Sequence, residues 1–512
     1  MSSKKSLTEW STIYNSLNWH LTNNPLLEPM KSILLFSFND LPYRLKQCFL
    51  YCSLFPEDHV IVNHKLITLW VAEGFVEHVE GLTPEKVANS YLMELIFRNM
   101  LQQRFRGPLV ACKMHDLLRE IALSIAKKEK FCAVHDGSET VEETGALRLS
   151  IQTTNGEIGS CTGISRLRSF LVFATGVSSF SFSNKLPFDL KLLKVLDLED
   201  VPLDCLPDNL TSLFNLKYLN LSGTPIMELP ESIGKLRNLQ ALNIRLTKIE
   251  ALPRGISKLI NLRYLLAGRS GKIIGVRMTS SISKMKKLQS FGYIESEGNI
   301  IRLIGNMTQL TVLGISNVKE RDEEDLCASI QEMKVLSKLG LWVADGEEFL
   351  RVDALSSPPP TLIVLNWSAN WKRLEEDLLP HIEALPSLRS LWLDNASVRK
   401  ELCFNRGFVK LWYLQFRNLA LLKKITIEKG TMPNLQFLDI RSCMTLETLP
   451  QGLEHLTKLE GYRFDNVSDK FRESVEEEGV DHAKMLLVDE RCKKYTNKSI
   501  PIEDFAFTWL KA

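Results

Sequence analysis

A short leucine pattern recurs along most of this 512-residue chain and limits the fold more than any other feature. The segments LKVLDL, LKYLNL, LQALNI and LRYLLA begin at Leu193, Leu216, Leu239 and Leu262, so the starts are 23 residues apart. Looser copies of LxxLxL continue at intervals of 22 to 26 residues as far as LEGYRF at Leu459. A period kept over so many copies is typical of stacked repeats rather than of one globular core.

This period and this pattern identify leucine-rich repeats. Each copy contributes one short strand whose leucines point inward, and neighbouring copies must stack because one copy cannot bury that face alone. The regular copies also contain LPDNLTSLFNL, LPESIGKLRNL or LPRGISKLINL, in which proline fixes the turn of the return path. The repeats therefore predict a solenoid, an α/β horseshoe or arc.

The x positions of LxxLxL are predicted to line the concave face of the solenoid. There Trp392, Trp412 and Tyr413 are candidates for a partner-binding face, because aromatic side chains dominate the energetics of interfaces. The alternative is that these rings cover neighbouring strands. Trp367 occupies a leucine position and is predicted to lie in the core.

The first 135 or so residues do not repeat and are predicted to be mainly helical. The segment LQQRFRGPLVACKM is predicted to be a hairpin that turns at Gly107-Pro108, and a further helix begins at Asp116. Several helices with a two-stranded wing indicate a winged helix. Its core should contain Phe49, Leu50, Leu54 and Phe55, with Trp70 and Phe75 nearby. The predicted helices span 8–22, 29–38, 42–55, 63–73 and 84–101.

The predicted fold class is therefore α+β, with a helical winged-helix domain followed by the leucine-rich-repeat solenoid. We divide the chain into a helical segment (1–35), the winged-helix domain (36–135), the repeats (140–466) and a C-terminal cap or tail (467–512).

Four motifs of the N-terminal block resemble one known family. They are LPYRLKQCFLYCSLFPEDHVI (41–61), LITLWVAEGFV (66–76), YLMELIFRNMLQ (91–102) and CKMHDLLREIA (112–122). In this order, and followed directly by the repeats, they resemble plant intracellular disease-resistance proteins of the nucleotide-binding leucine-rich-repeat type, in the coiled-coil class. The resemblance covers essentially the whole chain, and it implies that residues 1–35 are a remnant of the nucleotide switch.

In that family the switch holds ADP at rest and exchanges it for ATP when a pathogen signal arrives. The resemblance implies that His115 faces the phosphates of the nucleotide, framed by Met114 and Asp116. However, the 512 residues contain no GxxxxGK[ST] phosphate loop, no strand ending in paired aspartates and no Gly-Leu-Pro-Leu segment. We therefore expect no cofactor in this chain, with ADP or ATP bound in the full-length family. We also expect the coiled coil and most of the nucleotide-binding domain to lie outside it.

The function implied is that of a plant innate-immune receptor component. Its repeats would recognise a pathogen effector or a guarded host protein and would restrain the switch through the receptor's own nucleotide-binding domain. The alternative is a stand-alone interaction module or decoy. A DNA-binding winged helix is a weaker reading, because its candidate recognition segment HKLITLWVAEGF carries a single lysine. An extracellular receptor would suit the seven Asn-x-Ser/Thr sequons, but the N-terminus lacks an apolar signal sequence.

Composition argues against several other classes. The 63 basic and 61 acidic side chains nearly cancel, so we expect no basic stripe and no nucleic-acid partner. The apolar runs are too short for an integral membrane segment. The sequence contains no HExxH motif, no GxSxG motif and no His/Cys metal cluster, so we do not predict an enzyme. His59 and His64 are predicted to be surface loop residues. Ten scattered cysteines favour a reducing cytoplasm, with a peripheral position at the plasma membrane as a further expectation.

Overall fold

The structure is a computed structural model that describes residues 28–106, 109–135, 145–153, 165–174, 177, 190–269, 274–343, 358–368, 382–395, 400–476 and 493–494. Within these residues, a helical unit with a three-stranded antiparallel sheet precedes a 16-stranded parallel sheet. The predicted fold class is therefore confirmed. The predicted helix 8–22 and the turn at Gly107-Pro108 lie outside the described residues.

In the residues that the structure describes, the helical unit contains five helices and a small sheet. Thr83 caps α4 by accepting a hydrogen bond from the Lys86 amide, and Pro84 supplies the preset φ that suits a first helical position. Gly74 ends α3 in the left-handed conformation, at φ +87°. Because β3 pairs with both β1 and β2, the sheet has one strand more than the predicted wing. The elements are α1 Glu28–Asn39, α2 Tyr43–Cys52, β1 Ile61–Val62, α3 Asn63–Glu73, α4 Pro84–Phe97, β2 Gln102–Arg106, β3 Leu109–Lys113 and α5 Asp116–Lys128.

The core of this unit lies where the sequence predicts it. Phe49, Leu54 and Phe55 are almost completely buried, and Trp70 joins them from α3. The small thiols of Cys48 and Cys52 lie on the same face of α2, where the Cys52 thiol donates to the Cys48 carbonyl over 3.4 Å.

The solenoid sheet adds one parallel strand per repeat, with two helices in its irregular middle stretch. A separate pair, β16 Glu401–Phe404 and β18 Lys424–Ile427, lies outside the main sheet. The main-sheet strands are β4 Ala133–His135, β5 Arg148–Thr153, β6 Ser169–Ala174, β7 Val195–Asp197, β8 Tyr218–Asn220, β9 Ala241–Thr247, β10 Tyr264–Arg269, β11 Ser290–Glu295, β12 Val312–Val318, β13 Lys338–Val343, β14 Val364–Ser368, β15 Ser390–Asp394, β17 Tyr413–Arg417, β19 Phe437–Arg441, β20 Gly461–Asp465 and β21 Lys493–Lys494. The helices are α6 Ile300–Gly305 and α7 Glu323–Glu332, and α8 Asp469–Val475 follows β20.

Leucines and asparagines fix the stacking of the repeats. The repeat leucines form one continuous buried core, and Trp367 lies in it with no exposed surface, as predicted. On one lateral edge, the Asn215 amide donates to the Lys191 carbonyl over 2.7 Å, and Asn238 and Asn261 make the same contact one repeat further on each time. The side-chain amides thereby satisfy backbone carbonyls that the turns leave without a partner.

Both ends of the sheet differ from the expected repeat pattern. β4 pairs with β5, so the first strand lies a few residues before the predicted start of the repeats. β21 pairs with β20, so a further strand follows the last leucine copy. Neither strand carries LxxLxL, which is why the leucine pattern does not indicate them.

Candidate functional site

The Met-His-Asp triplet lies at the start of α5. Met114 is buried in the core of the helical unit, and His115 is the exposed N-cap residue of the helix. His115 Nδ1 accepts a hydrogen bond from the Leu117 amide over 3.3 Å, so the ring proton is on Nε2, which can donate to another group. One carboxylate oxygen of Asp116 is buried without a hydrogen-bond partner among the described residues. The residues present fit one phosphate contact, through His115.

A second site lies where the helical unit meets the concave face of the first repeats. Glu73, at the end of α3, pairs with Arg148 of β5 over 2.8 Å, and both side chains are almost completely buried. Ser169 of β6 donates to the same carboxylate. The Arg148 guanidinium also stacks on the Phe131 ring at 4.1 Å. The pair therefore joins two elements that are far apart in sequence through a desolvated charge network.

Lys65, near the start of α3, makes the second ionic contact. Its ammonium lies 2.7 Å from Asp197 of β7 and also pairs with Glu199. Burial alone would lower the pKa of Lys65, but the two carboxylates outweigh burial and raise it well above its usual value. Asn220 of β8 donates to Asp197 over 2.8 Å, so the carboxylate is held in place on the repeat side.

His64 also lies at this junction, so its prediction as a surface loop residue is wrong. It is in the first turn of α3, and its ring meets the Tyr264 ring edge-on at 5.5 Å. Burial, followed by the nearby charges of Lys338 and Arg245, lowers its pKa to about 4. His59 does lie in a loop, but it is half-buried against the rings of Phe55 and Phe173.

A cavity of about 130 Å³ remains between α3 and the repeats. His64, Lys65 and Thr68 line it from the helix. Tyr218 and Arg245 are among the residues that line it from the concave strands. The helical unit and the first repeats thus share an interface in which polar and charged side chains surround a small cavity, beside apolar contacts.

The aromatic candidates lie on the concave face of the later repeats. Trp392 and Tyr413 are almost completely buried, and their rings lie 5.6 Å apart. Trp412 is half-buried and meets the Phe437 ring edge-on at 5.8 Å. These rings contact the rings of neighbouring strands, and their role in binding a partner stays a prediction. Of the three, Trp412 keeps the most surface for a partner.

Two other kinds of feature, a metal site and a membrane span, are absent from the described part of the chain. There, no group of three or more His, Cys, Asp or Glu side chains could hold a metal ion. No helix in these residues is long and apolar enough to cross a membrane.

Two family models match the chain. The Disease resistance protein Winged helix domain matches residues 54–122, and a Leucine-rich repeat region matches residues 166–374.

Several known proteins are similar to the chain over most of its length. Disease resistance protein RPM1 of Arabidopsis thaliana is 42% identical over 95% of this chain and 56% of its own length. Probable disease resistance RPP8-like protein 2 of the same plant is 28% identical over 95% of this chain and 58% of its own length. The chain thus spans a little over half of these relatives. The solved structure of a leucine-rich-repeat protein of Leptospira interrogans aligns with 73% of this chain and 98% of its own, at 18% identity and a TM-score of 0.46.

Proposed function

Over its winged helix and leucine-rich repeats the chain belongs to the plant disease-resistance proteins, and on that premise we propose that it is the recognition and restraint part of an immune receptor. The repeats bind a pathogen effector or a guarded host protein. Until that partner arrives, they hold the winged helix in its resting position. The chain works in the cytoplasm and catalyses no reaction itself.

The contact of α3 with the first repeats is the observation that supports restraint. Glu73 and Arg148 form a pair that excludes water, and Lys65 bridges α3 to two carboxylates of the repeats. Breaking a buried ion pair costs about 3–5 kcal/mol, because the remaining charge stays buried without its partner. Changing the populations of a two-state switch from 1:99 to 99:1 takes a free-energy difference of about 5.5 kcal/mol between the states. One such contact is therefore large enough to bias the switch.

His115 is proposed to sense the nucleotide. A nucleotide held by a nucleotide-binding domain would supply phosphate oxygens, and His115 Nε2 is available to donate to one of them. A charge-assisted bond of this kind contributes about 1.5–3 kcal/mol. Met114 anchors the residue in the core and Asp116 opens α5, so this position moves only if the helix moves.

A protein partner would meet the concave face of the later repeats. Trp412 and Phe437 keep part of their rings exposed there, while Trp392 and Tyr413 support them from below. Half-exposed aromatic rings on a rigid sheet suit protein recognition, because they bring large contact area with few torsions to fix.

A charge swap tests the restraint in a receptor that joins this chain to a nucleotide-binding domain. Lys65→Glu places a second acid beside Asp197. We expect this receptor to signal without any pathogen, with death of the leaf cells that express it as the readout. Asp197→Lys in the same molecule should recover part of the resting state. The matched control is Lys423→Glu, because Lys423 forms an exposed pair with Glu447.

A Lys65→Glu receptor that stays silent alone and responds normally to its effector would overturn the proposed restraint. Immunoblots at equal expression exclude loss of protein as the cause of silence. If the chain alone captures the effector and the swap has no effect, the stand-alone module is the better description.

A further inference from the structure

One lateral edge of the first repeats carries a row of exposed basic side chains. The short turns Glu231–Lys235, Arg254–Lys258 and Ser280–Lys284 come from three successive repeats, and each ends in an exposed lysine. Three more exposed cations lie between these turns and the strands that follow. We name this row the basic edge, and its members are Lys235, Arg237, Lys258, Lys284, Lys286 and Lys287.

The basic edge is not neutralised by the described part of the chain. No carboxylate there pairs with Lys235, Lys258 or Lys284. Glu231 lies close by, but it accepts hydrogen bonds from the backbone amides of Arg254 and Gly255. Because stacked strands lie about 4.8 Å apart, like charges recur at short intervals. Such a row suits an anionic partner from outside.

Three other acids of the same repeats lie away from the basic edge. Glu199, Glu228 and Glu250 follow the strands instead of preceding them. Glu250 already pairs with Arg269 and Arg277, and Glu199 with Lys65. A net charge of +2 for the whole chain therefore does not show how the unpaired cations are distributed over its surface.

Large apolar side chains stand in the same row as the cations. Phe214 is 51% exposed and Ile260 is 55% exposed. The asparagine ladder places them with Lys191 and Arg237 at one position of successive repeats, because each side-chain amide binds the carbonyl of the preceding copy. The edge thus alternates charged and apolar groups, one in each repeat.

From this arrangement we propose that the basic edge docks on an anionic membrane surface. Lysine ammonium groups contact the phosphate and carboxylate headgroups, while Phe214 and Ile260 enter the boundary with the acyl chains. The exposed apolar groups beside the cations favour a partner with an apolar layer beneath its anionic groups, which a membrane has. A partner protein would favour the rigid arginine fork over flexible lysines. The inference needs neither an effector nor a nucleotide.

The position of the helical unit leaves this edge free. α3 lies on the concave side, against β7 and β8, whereas the three turns lie on the return path of the repeats. Binding a membrane would therefore not require the buried Glu73–Arg148 pair to open.

Vesicle sedimentation tests the proposal with the 512-residue chain. We expect binding to phosphatidylcholine vesicles that contain phosphatidylserine and none to phosphatidylcholine alone, with the bound fraction falling as salt is raised. K235E/K258E/K284E should weaken binding by about tenfold or more. The matched control, K410E/K429E/K458E, makes the same change of net charge at exposed lysines of the later repeats. An equal loss in both variants would mean that total charge, not the basic edge, drives binding.

A second variant separates a membrane from other anionic partners. F214S/I260S should weaken vesicle binding but leave its salt dependence unchanged, because it removes only apolar contacts. Circular dichroism melting curves that match the unaltered chain exclude misfolding. The proposal fails if this variant sediments like the unaltered chain. It also fails if double-stranded DNA binds more tightly than the vesicles at the same salt concentration.

Discussion

The concave face is used in two different ways along the same sheet. In the first repeats its side chains belong to the core of the helical unit, where Tyr218 and Tyr264 pack beside the Lys65 and Glu73 ion pairs. In the later repeats equivalent positions form a separate cluster of the solenoid, with Trp342 and Trp392 among its members. The first region depends on a neighbour with matching charges, whereas the second covers itself.

The aromatic cluster shows how a strand face can close without a neighbour. The rings of Tyr293 and Trp342 are 4.3 Å apart, although they come from β11 and β13, with β12 between them. Two strand spacings amount to about 9.6 Å, so the rings must lean toward each other. They can do so because β12 presents Gly314 and Ser316 where longer side chains would stand in the way.

The largest effect should come from breaking the charged junction. Arg148→Ala leaves the Glu73 carboxylate buried without its partner, and we expect the free energy of unfolding to fall by about 3–5 kcal/mol. Urea unfolding measures the fall in the free energy of unfolding, and hydrogen exchange in α3 shows whether the junction is the part that loosens. The control is Arg277→Ala, because Arg277 pairs with Glu250 in solvent and should cost less than about 1 kcal/mol. Equal costs for the two variants would contradict a desolvated junction.

Removing one ring of the aromatic cluster should destabilise only the later repeats. Trp342→Ala removes a ring that is 4% exposed, and we expect a cost of about 3 kcal/mol with faster hydrogen exchange in β11–β15. Protection of α3 should not change, because the two clusters are separate. Trp412→Ala, at a half-buried ring, is the milder comparison. Loosening of both regions by Trp342→Ala would show that the concave face is one cooperative unit.

Lowering the pH should destabilise the junction at His64 and leave the aromatic cluster unchanged. The pKa of His64 is lowered from 6.5 to about 4, so the unfolded chain binds a proton more readily. This contribution to stability is complete above pH 6.5 and is lost as the pH falls toward 4. We expect a loss of about 1–3 kcal/mol, which His64→Gln should remove. His455→Gln, at an exposed histidine, should leave the pH profile unchanged.

The charged groups around His64 give a second test of its lowered pKa. Lys338 and Arg245 oppose its protonation, and Glu85 favours it. Lys338→Met should therefore raise the pKa of His64 in the folded chain, so the loss of stability in acid should be smaller and should be complete at a higher pH. An unchanged profile in that variant would mean that Lys338 contributes little to the pKa of His64.

The smallest effect is expected at His115. His115→Ala removes the acceptor for the Leu117 amide and should cost about 0.5–1 kcal/mol, while His115→Asn keeps a cap and should cost less. Neither variant should change nucleotide binding, because we expect this chain alone to bind no ADP in calorimetry. Micromolar ADP binding that His115→Ala abolishes would refute this expectation.

Local and periodic features could be predicted from the sequence. Helix 63–73 begins and ends as predicted, because Gly74 supplies a left-handed cap, and the strands follow the leucine copies through the regular repeats. Trp367 and the Phe49 core were predicted from their apolar patterns and are buried. In each case the physical cause lies within one turn or one period of the residue concerned.

The junction could not be predicted, because its cause lies in contacts between distant residues. Nothing near His64 or Lys65 indicates that Tyr264 and Asp197 will lie beside them. The basic edge was missed for a related reason. Its lysines are separated by a full repeat in sequence and become neighbours only when the repeats stack. A comparison of equivalent repeat positions would have found it.

The Glu73–Arg148 pair also bears on how such chains can be inherited. The two residues lie on opposite sides of the boundary between the helical unit and the repeats. A recombination event between them that brings in repeats without the arginine would leave a buried acid uncompensated. The first repeats should therefore pass between generations together with the winged helix. The later repeats, which close on themselves, are free to be exchanged and to diversify as a block.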